Sequence, residues 1–160
     1  FNITSDKATK ITEFVTKKKV VTVPFDTFGV QPSFTCSAII FFLPAKAVIK
    51  DVFAEVTTSF SGGTIATYTV SVGIAGNLVK YMLANSVTTT GGRIAETTKG
   101  TALTTAGKTN VESFSTTTWI QVQAISTVGT LDAATQGSID IYIEYLEMFE
   151  ANPEIIVPVA

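Results

Sequence analysis

The stretch AVIKDVFAEVTTSFSGGTIATYTVSVG, residues 47–73, carries the reading of the fold. In its first half Val52, Ala54, Val56, Thr58 and Phe60 share one face, while Asp51, Phe53, Glu55, Thr57 and Ser59 share the other. A period of two is that of a β-strand with one face in a core. In TYTVSVG, Thr67 to Gly73, the same logic turns Tyr68, Val70 and Val72 inward and leaves Thr67, Thr69 and Ser71 to water or a neighbour. Between the two runs, Ser61-Gly62-Gly63 fits a tight reversal, because glycine reaches positive φ at little steric cost. A β-hairpin over Asp51–Gly73 is therefore expected.

Outward from that segment the chain repeats the theme. KKKVVTVPF, Lys17 to Phe25, reads as a strand whose Pro24 marks an edge or an end. SFTCSAIIFFLP, Ser33 to Pro44, reads as a second, more buried strand closed by proline. NLVKYMLANSV fits a strand or a short helix, with extended structure favoured, and TTTGGRIAETTKGTALTTAGKTNVES suits long loops or small strands. Regularity returns with TTTWIQVQAIST, a turn around Val128-Gly129-Thr130, and a last strand, SIDIYIEYLEMF. In that strand Ile139, Ile141, Ile143 and Tyr145 face one way; Asp140, Tyr142, Glu144 and Leu146 face the other. The chain holds 27 threonines, which favour strands because β-branched side chains fit the pleated surface. Six to eight short strands with no sustained amphipathic helix indicate an all-β, antiparallel β-sandwich, jelly-roll-like.

The ends differ from the middle. FNITSDKATKITEFVT, residues 1–16, is polar without a clear period and reads as an N-terminal arm. EANPEIIVPVA, residues 150–160, is apolar with two prolines, so it is neither a central strand nor a regular helix. It reads as a C-terminal arm lying on a neighbouring surface, which another subunit could supply. The sandwich is assigned to residues 17–149. A chain of 160 residues can bury roughly 70% of its unfolded surface and needs no metal or disulfide to fold.

Composition excludes much chemistry. There is no histidine, which removes Ser-His-Asp, Cys-His and HExxH machinery. Cys36 is the single cysteine and sits in an apolar strand, without an electropositive setting that would make it reactive. Asp140/Glu144 and Asp51/Glu55 share strand faces, but four residues along a strand span about 13 Å, beyond the roughly 5–9.5 Å of glycosidase pairs. A pair across strands stays open at this point. GTALTTAGKT, Gly100 to Thr109, imitates a phosphate loop, yet six residues separate its glycines where the motif has four, and its flanks lack the strand–helix context. No calcium loop is found. Trp119, Tyr68, Tyr81 and Tyr142 are candidates for a sugar platform, with core or interface packing as the competing role.

The net charge of −2 points away from nucleic acid. Lys17-Lys18-Lys19 reads as a solvated strand start whose charge discourages edge-to-edge pairing, or as a dock for an acidic partner. The longest apolar run, AIIFFL at Ala38–Leu43, is far too short to span a bilayer. Asn2-Ile3-Thr4 matches a glycosylation sequon.

LPAKAVIKDVFAEVTTSFSGGTIATYTVSVGIAG, followed later by TTTWIQVQAIST and GSIDIYIEYLEM, resembles a segment common in tailed-bacteriophage and marine-virus structural proteins. The likeness runs over roughly Leu43 to Met148. It implies a virion component: a capsid decoration (cement) protein or head fibre, with a tail or fibre component of adhesive, glycan-binding role as the alternative. The family implies a major capsid protein as partner, a symmetric homo-oligomer with a trimer favoured, a place on the capsid exterior, and terminal arms that grip neighbours. Phe1, Ile3, Ile155, Ile156, Val157 and Val159 are the subunit or capsid contacts it implies. It implies no catalytic residues, cofactor or metal, and no nucleic-acid or membrane partner. Competing classes are an enzyme of unfamiliar kind and a cellular surface or matrix module.

Overall fold

A computed structural model of the chain describes residues 12–89, 93–94 and 113–150. Eight strands follow in chain order: β1 (Thr12–Pro24), β2 (Thr35–Leu43), β3 (Val48–Ser61), β4 (Thr67–Ile74), β5 (Asn77–Ser86), β6 (Arg93–Ile94), β7 (Thr118–Val128) and β8 (Gln136–Glu150). Short 3-10 turns, Phe25–Thr27 and Leu131–Ala133, follow β1 and precede β8. Two four-stranded sheets result, ordered β1-β8-β3-β6 and β2-β7-β4-β5, and every pairing is antiparallel. This alternation of the chain between two facing sheets is the jelly roll, an all-β sandwich as the residue pattern predicts.

The hairpin expected over Asp51–Gly73 is not formed. β3 lies between β8 and β6, and β4 between β7 and β5, so the two strands belong to opposite sheets. The glycine-rich segment Ser61–Ala66 carries the chain across the sandwich instead. It is pinned by Thr135 N–H donating to the Ser61 carbonyl at 2.9 Å and Ile65 N–H to the Gly62 carbonyl at 3.2 Å. Among the described strands only β4 and β5 are both consecutive and paired. Their turn is Ala75-Gly76, between the partners Ile74 and Asn77, with Gly76 at φ 84°.

Inner faces follow the period of two closely. Val52, Ala54, Val56 and Phe60 of β3 are buried, as are Tyr68, Val70 and Val72 of β4 and Ile139, Ile141, Ile143 and Tyr145 of β8. Thr58 departs from its expected face and is exposed, because the register shifts between Val56 and Thr58. Ser71 departs in the other direction and is buried: β4 is an inner strand, with Gln123 of β7 directly opposite. The rings of Phe28, Phe60 and Tyr68 meet in the core, with centroids 6.4 Å (Phe28–Tyr68) and 4.8 Å (Phe60–Tyr68) apart. Each such side chain removed from water contributes about 1.5–3 kcal/mol.

β1 begins at Thr12, five residues before the strand start read from the sequence. Its first residues pair with the end of β8, Thr12 opposite Glu150 and Thr16 opposite Leu146. NLVKYMLANSV is extended, as favoured, in β5. β2, read as the more buried strand, is an edge strand, and Thr35, Ser37, Ile39 and Phe42 are exposed along it. The phosphate-loop imitation at 100–109, the sequon at 2–4 and most of both terminal arms lie outside the described residues.

Candidate interaction surface

The two sheets present very different outer faces. On β1-β8-β3-β6 the face carries paired charges, with Phe14 and Val20 of β1 exposed among them. Glu144 on β8 accepts Lys18 at 3.5 Å from one side and Lys50 at 3.3 Å from the other. Lys17 pairs with Glu147, whose hydrogen bond to the ammonium raises the Lys17 pKa above its usual range. Thr22 donates to Asp140 at 2.6 Å, and Phe53 stacks on Tyr142 with centroids 4.7 Å apart and planes 7° from parallel. β1 is the edge of this sheet, so the lysine run stands where charge discourages strand addition.

The cross-strand carboxylates can now be placed. Asp51 stands opposite Glu144, and Glu55 opposite Asp140. Opposed residues have Cβ atoms about 4.5–5.5 Å apart, a spacing that suits paired carboxyls. Asp140 is engaged by Thr22, however, and Glu55 has Arg93 of β6 as its opposite neighbour. The neighbouring groove of about 310 Å³ is lined by Lys18, Lys19, Val20, Phe53, Tyr142, Ile143 and Glu144, with neither Glu55 nor Asp140 in it. A pair on an open sheet face lacks the enclosure that strengthens charge chemistry.

The sugar-platform candidates separate. Tyr68 and Tyr81 are fully buried and meet no external ligand. Tyr142 is half-buried beneath its stack with Phe53. Trp119 alone is exposed, and it is not isolated. Across the β2–β7 ladder Phe42 stands opposite it, and the two rings meet edge to face with centroids 5.9 Å apart. That geometry makes a ridge, whereas a sugar needs an open ring face.

β2 builds this ridge by an irregularity. The register with β7 shifts between Ile39 and Phe41, so one extra residue is inserted and both Ile39 and Phe42 point outward. Ile39 is 44% exposed, Phe42 57% and Trp119 53%. Beside them a groove of about 360 Å³ runs along Ile74, Phe114 and Gln121. Among the described residues β2 pairs with β7 alone, and Thr35–Leu43 contains no charged residue. The sequence showed AIIFFL but not its position at an edge. At the opposite end of the sandwich Val30, Phe34 and Val128 form a smaller exposed group. Cys36, on β2, is free and half-buried. The residues implied as contacts by resemblance, Phe1, Ile3, Ile155, Ile156, Val157 and Val159, lie outside the described residues.

Among the described residues no cluster of three or more metal-ligating side chains occurs, and no helix is long and apolar enough to cross a membrane. No family model and no curated protein matches the sequence. Solved structures that match the chain include two phage capsid proteins. A chain of the cyanophage Pam1 capsid asymmetric unit superposes with a TM-score of 0.55 at 20% identity, covering 83% of this chain and 85% of that one. A chain of the acidic stable capsid of Helicobacter pylori bacteriophage KHP30 gives a TM-score of 0.44 at 14% identity, covering 89% of this chain and 99% of that one.

Proposed function

We propose that this chain is a bacteriophage virion structural protein, and within the virion a capsid decoration protein. It binds the exterior of the shell formed by the major capsid protein and acts as a homo-oligomer, with a trimer favoured. The observation that carries this is the eight-stranded jelly roll, shared over 83% of the chain with a protein of a phage capsid asymmetric unit. The surface chemistry agrees: an exposed aromatic ridge on an uncharged edge strand suits broad contact with protein, where area is covered by small apolar and hydrogen-bonding groups. The terminal residues Phe1, Ile3, Ile155, Ile156, Val157 and Val159 supply further contacts to neighbours.

The test is immunogold electron microscopy of particles from the source, with antiserum raised against this chain. Label spread over the heads is the expected result. Label confined to a tail or fibre would replace decoration by the adhesive role. Absence of the chain from purified particles, with an antiserum that detects it elsewhere, would overturn the virion assignment.

A further inference from the structure

Charge is distributed unequally between the two sheets. β1, β3 and β8 each carry three or more charged residues, whereas β2, β4, β5 and β7 together carry one, Lys80. Lys80 belongs to the far strand β5, where its ammonium lies 5.3 Å from the centre of the Phe114 ring. Phe14, Val15 and Val20 of β1 are exposed as well, but they flank Lys17-Lys18-Lys19, whose charges repel a like surface.

The outer face of the neutral sheet is a regular grid. Across β2, β7 and β4 its rows run Thr35–Ile125–Thr69, Ser37–Gln123–Ser71 and Ile39–Gln121–Gly73, and Phe42–Trp119 extends it on β2 and β7. The polar side chains in these rows are hydroxyls and amides. Each is donor and acceptor at once, so each can meet its own kind. Gln123, half-buried, is the centre of the grid.

The relief of the face is uneven. On the β2 side Ile39 and Phe42 stand exposed, while on the β4 side Ser71 and Gly73 are buried. Phe42 flanks Trp119 on one side; on the other, a groove of about 360 Å³ runs past Ile74 and Ala75 at the end of β4. A ridge and a trough thus lie side by side, one on each flank of β7. In an isologous pair the same patch serves both copies. A two-fold axis lying in the face along β7 sets β2 of one copy over β4 of the other, with the strands aligned as in packed sheets. Ile39 then faces Gly73, Phe42 faces the groove, and Gln123 faces Gln123. An axis across the strands sets ridge on ridge, so shape selects the first arrangement.

We infer that two copies of this chain pair through the β2-β7-β4 face about a two-fold axis along β7, with Phe42 of each seated in the groove beside Trp119 of the other. This deepens the oligomeric part of the proposed function and rests on it: a two-fold contact gives a dimer, or a hexamer where the trimer also forms. Sedimentation velocity tests it on the full chain, with far-UV circular dichroism confirming the fold of each variant. The parent is expected to contain an even number of copies. Gln123→Lys and Gln123→Glu are each expected to halve its mass, because like charges meet on the axis. Emission of Trp119, the single tryptophan, shifts red in both. Mixed in equal amounts, the two variants are expected to recover the parent's mass and emission, because lysine then meets glutamate. Gln121→Lys with Gln121→Glu, one row along the same axis, repeats the test where a Gln123 variant loses its fold. A parent that is monomeric or odd-numbered overturns the inference. Variants that keep the parent's mass overturn it, and so does a mixture that stays at half mass. Particle labelling is independent of these readouts: a monomer found on heads removes only this inference, and an even-numbered oligomer absent from particles removes only the virion reading.

Discussion

Tyr68 offers a sharp test of how the core is built. Its ring is fully buried between Phe28 and Phe60, and its hydroxyl has no hydrogen-bond partner among the described residues. A buried hydroxyl without a partner costs about 1–3 kcal/mol, whereas the ring contributes as phenylalanine would. Tyr68→Phe is therefore expected to stabilise the fold by about 1 kcal/mol or more at neutral pH, a rise of about 2–4 °C in Tm for a chain of this size.

The same burial makes the effect depend on pH. Burial disfavours the phenolate and raises the Tyr68 pKa well above its ordinary 10.0, with Cys36 adding a smaller contribution of the same sign. Its folded pKa is the higher one, so above about pH 10 the unfolded chain releases a proton that the folded chain keeps. Tyr68's favourable linkage is thus complete below pH 10 and is lost as pH rises, by up to about 1.4 kcal/mol per pH unit. At pH 11 the advantage of Tyr68→Phe should widen from about 1 to about 2.4 kcal/mol. Urea titrations of both proteins at pH 7.5, 10 and 11, followed by far-UV circular dichroism, measure the difference while the other tyrosines cancel. A variant less stable than the parent at pH 7.5 would refute the reasoning, because it would mean that the hydroxyl is bonded. A gap that does not grow with pH would refute the linkage.

Two further substitutions separate tight packing from surface charge. At Gly137 φ is 149°, and an added Cβ would lie 2.5 Å from the Phe60 ring. Gly137→Ala is expected to cost about 2–6 kcal/mol from strain and overpacking together, with part recovered in the double variant Gly137→Ala/Phe60→Leu; equal stability of parent and single variant in urea would show that the ring moves freely. Glu144→Gln breaks the contacts to Lys18 and Lys50, but it also relieves the like charge of Asp51 opposite. Lys18 is 77% exposed, so the net change is expected within about 0.5 kcal/mol and smaller still in high salt; a loss above about 1.5 kcal/mol would mean that the network is shielded from solvent.

Which parts of this fold the sequence discloses depends on what alternation encodes. Val52, Ala54 and Val56 on β3, and Ile139, Ile141 and Ile143 on β8, are legible because both strands have one face sealed by the opposite sheet. Alternation specifies which side of a strand is dry, and it is silent about which strand lies beside it. The alternating runs flanking Ser61-Gly62-Gly63 would look the same in a hairpin and in a crossing between sheets. The crossing is set by demand elsewhere, since β3 and β4 each already have two partners. Irregularities are similarly hidden: the shift after Val56 exposes Thr58, and the one after Ile39 turns Phe42 outward, and neither has a composition of its own.

The interaction surface illustrates the limit most clearly, because an apolar strand has two explanations. AIIFFL can be dry because the chain covers it or because another chain does, and six apolar residues cannot distinguish the two. Topology adds one fact: β2 is an edge, and its open ladder has no cover among the described strands. The contrast with β1 then becomes informative. β1 opposes the addition of another strand with its lysines, whereas Thr35–Leu43 of β2 carries no charge to do so. Edge β2 is what the proposed function would use as a contact surface. On that view Ile39, Phe42 and Trp119 owe their identities to the assembled state, where the water that surrounds them in a single chain is excluded.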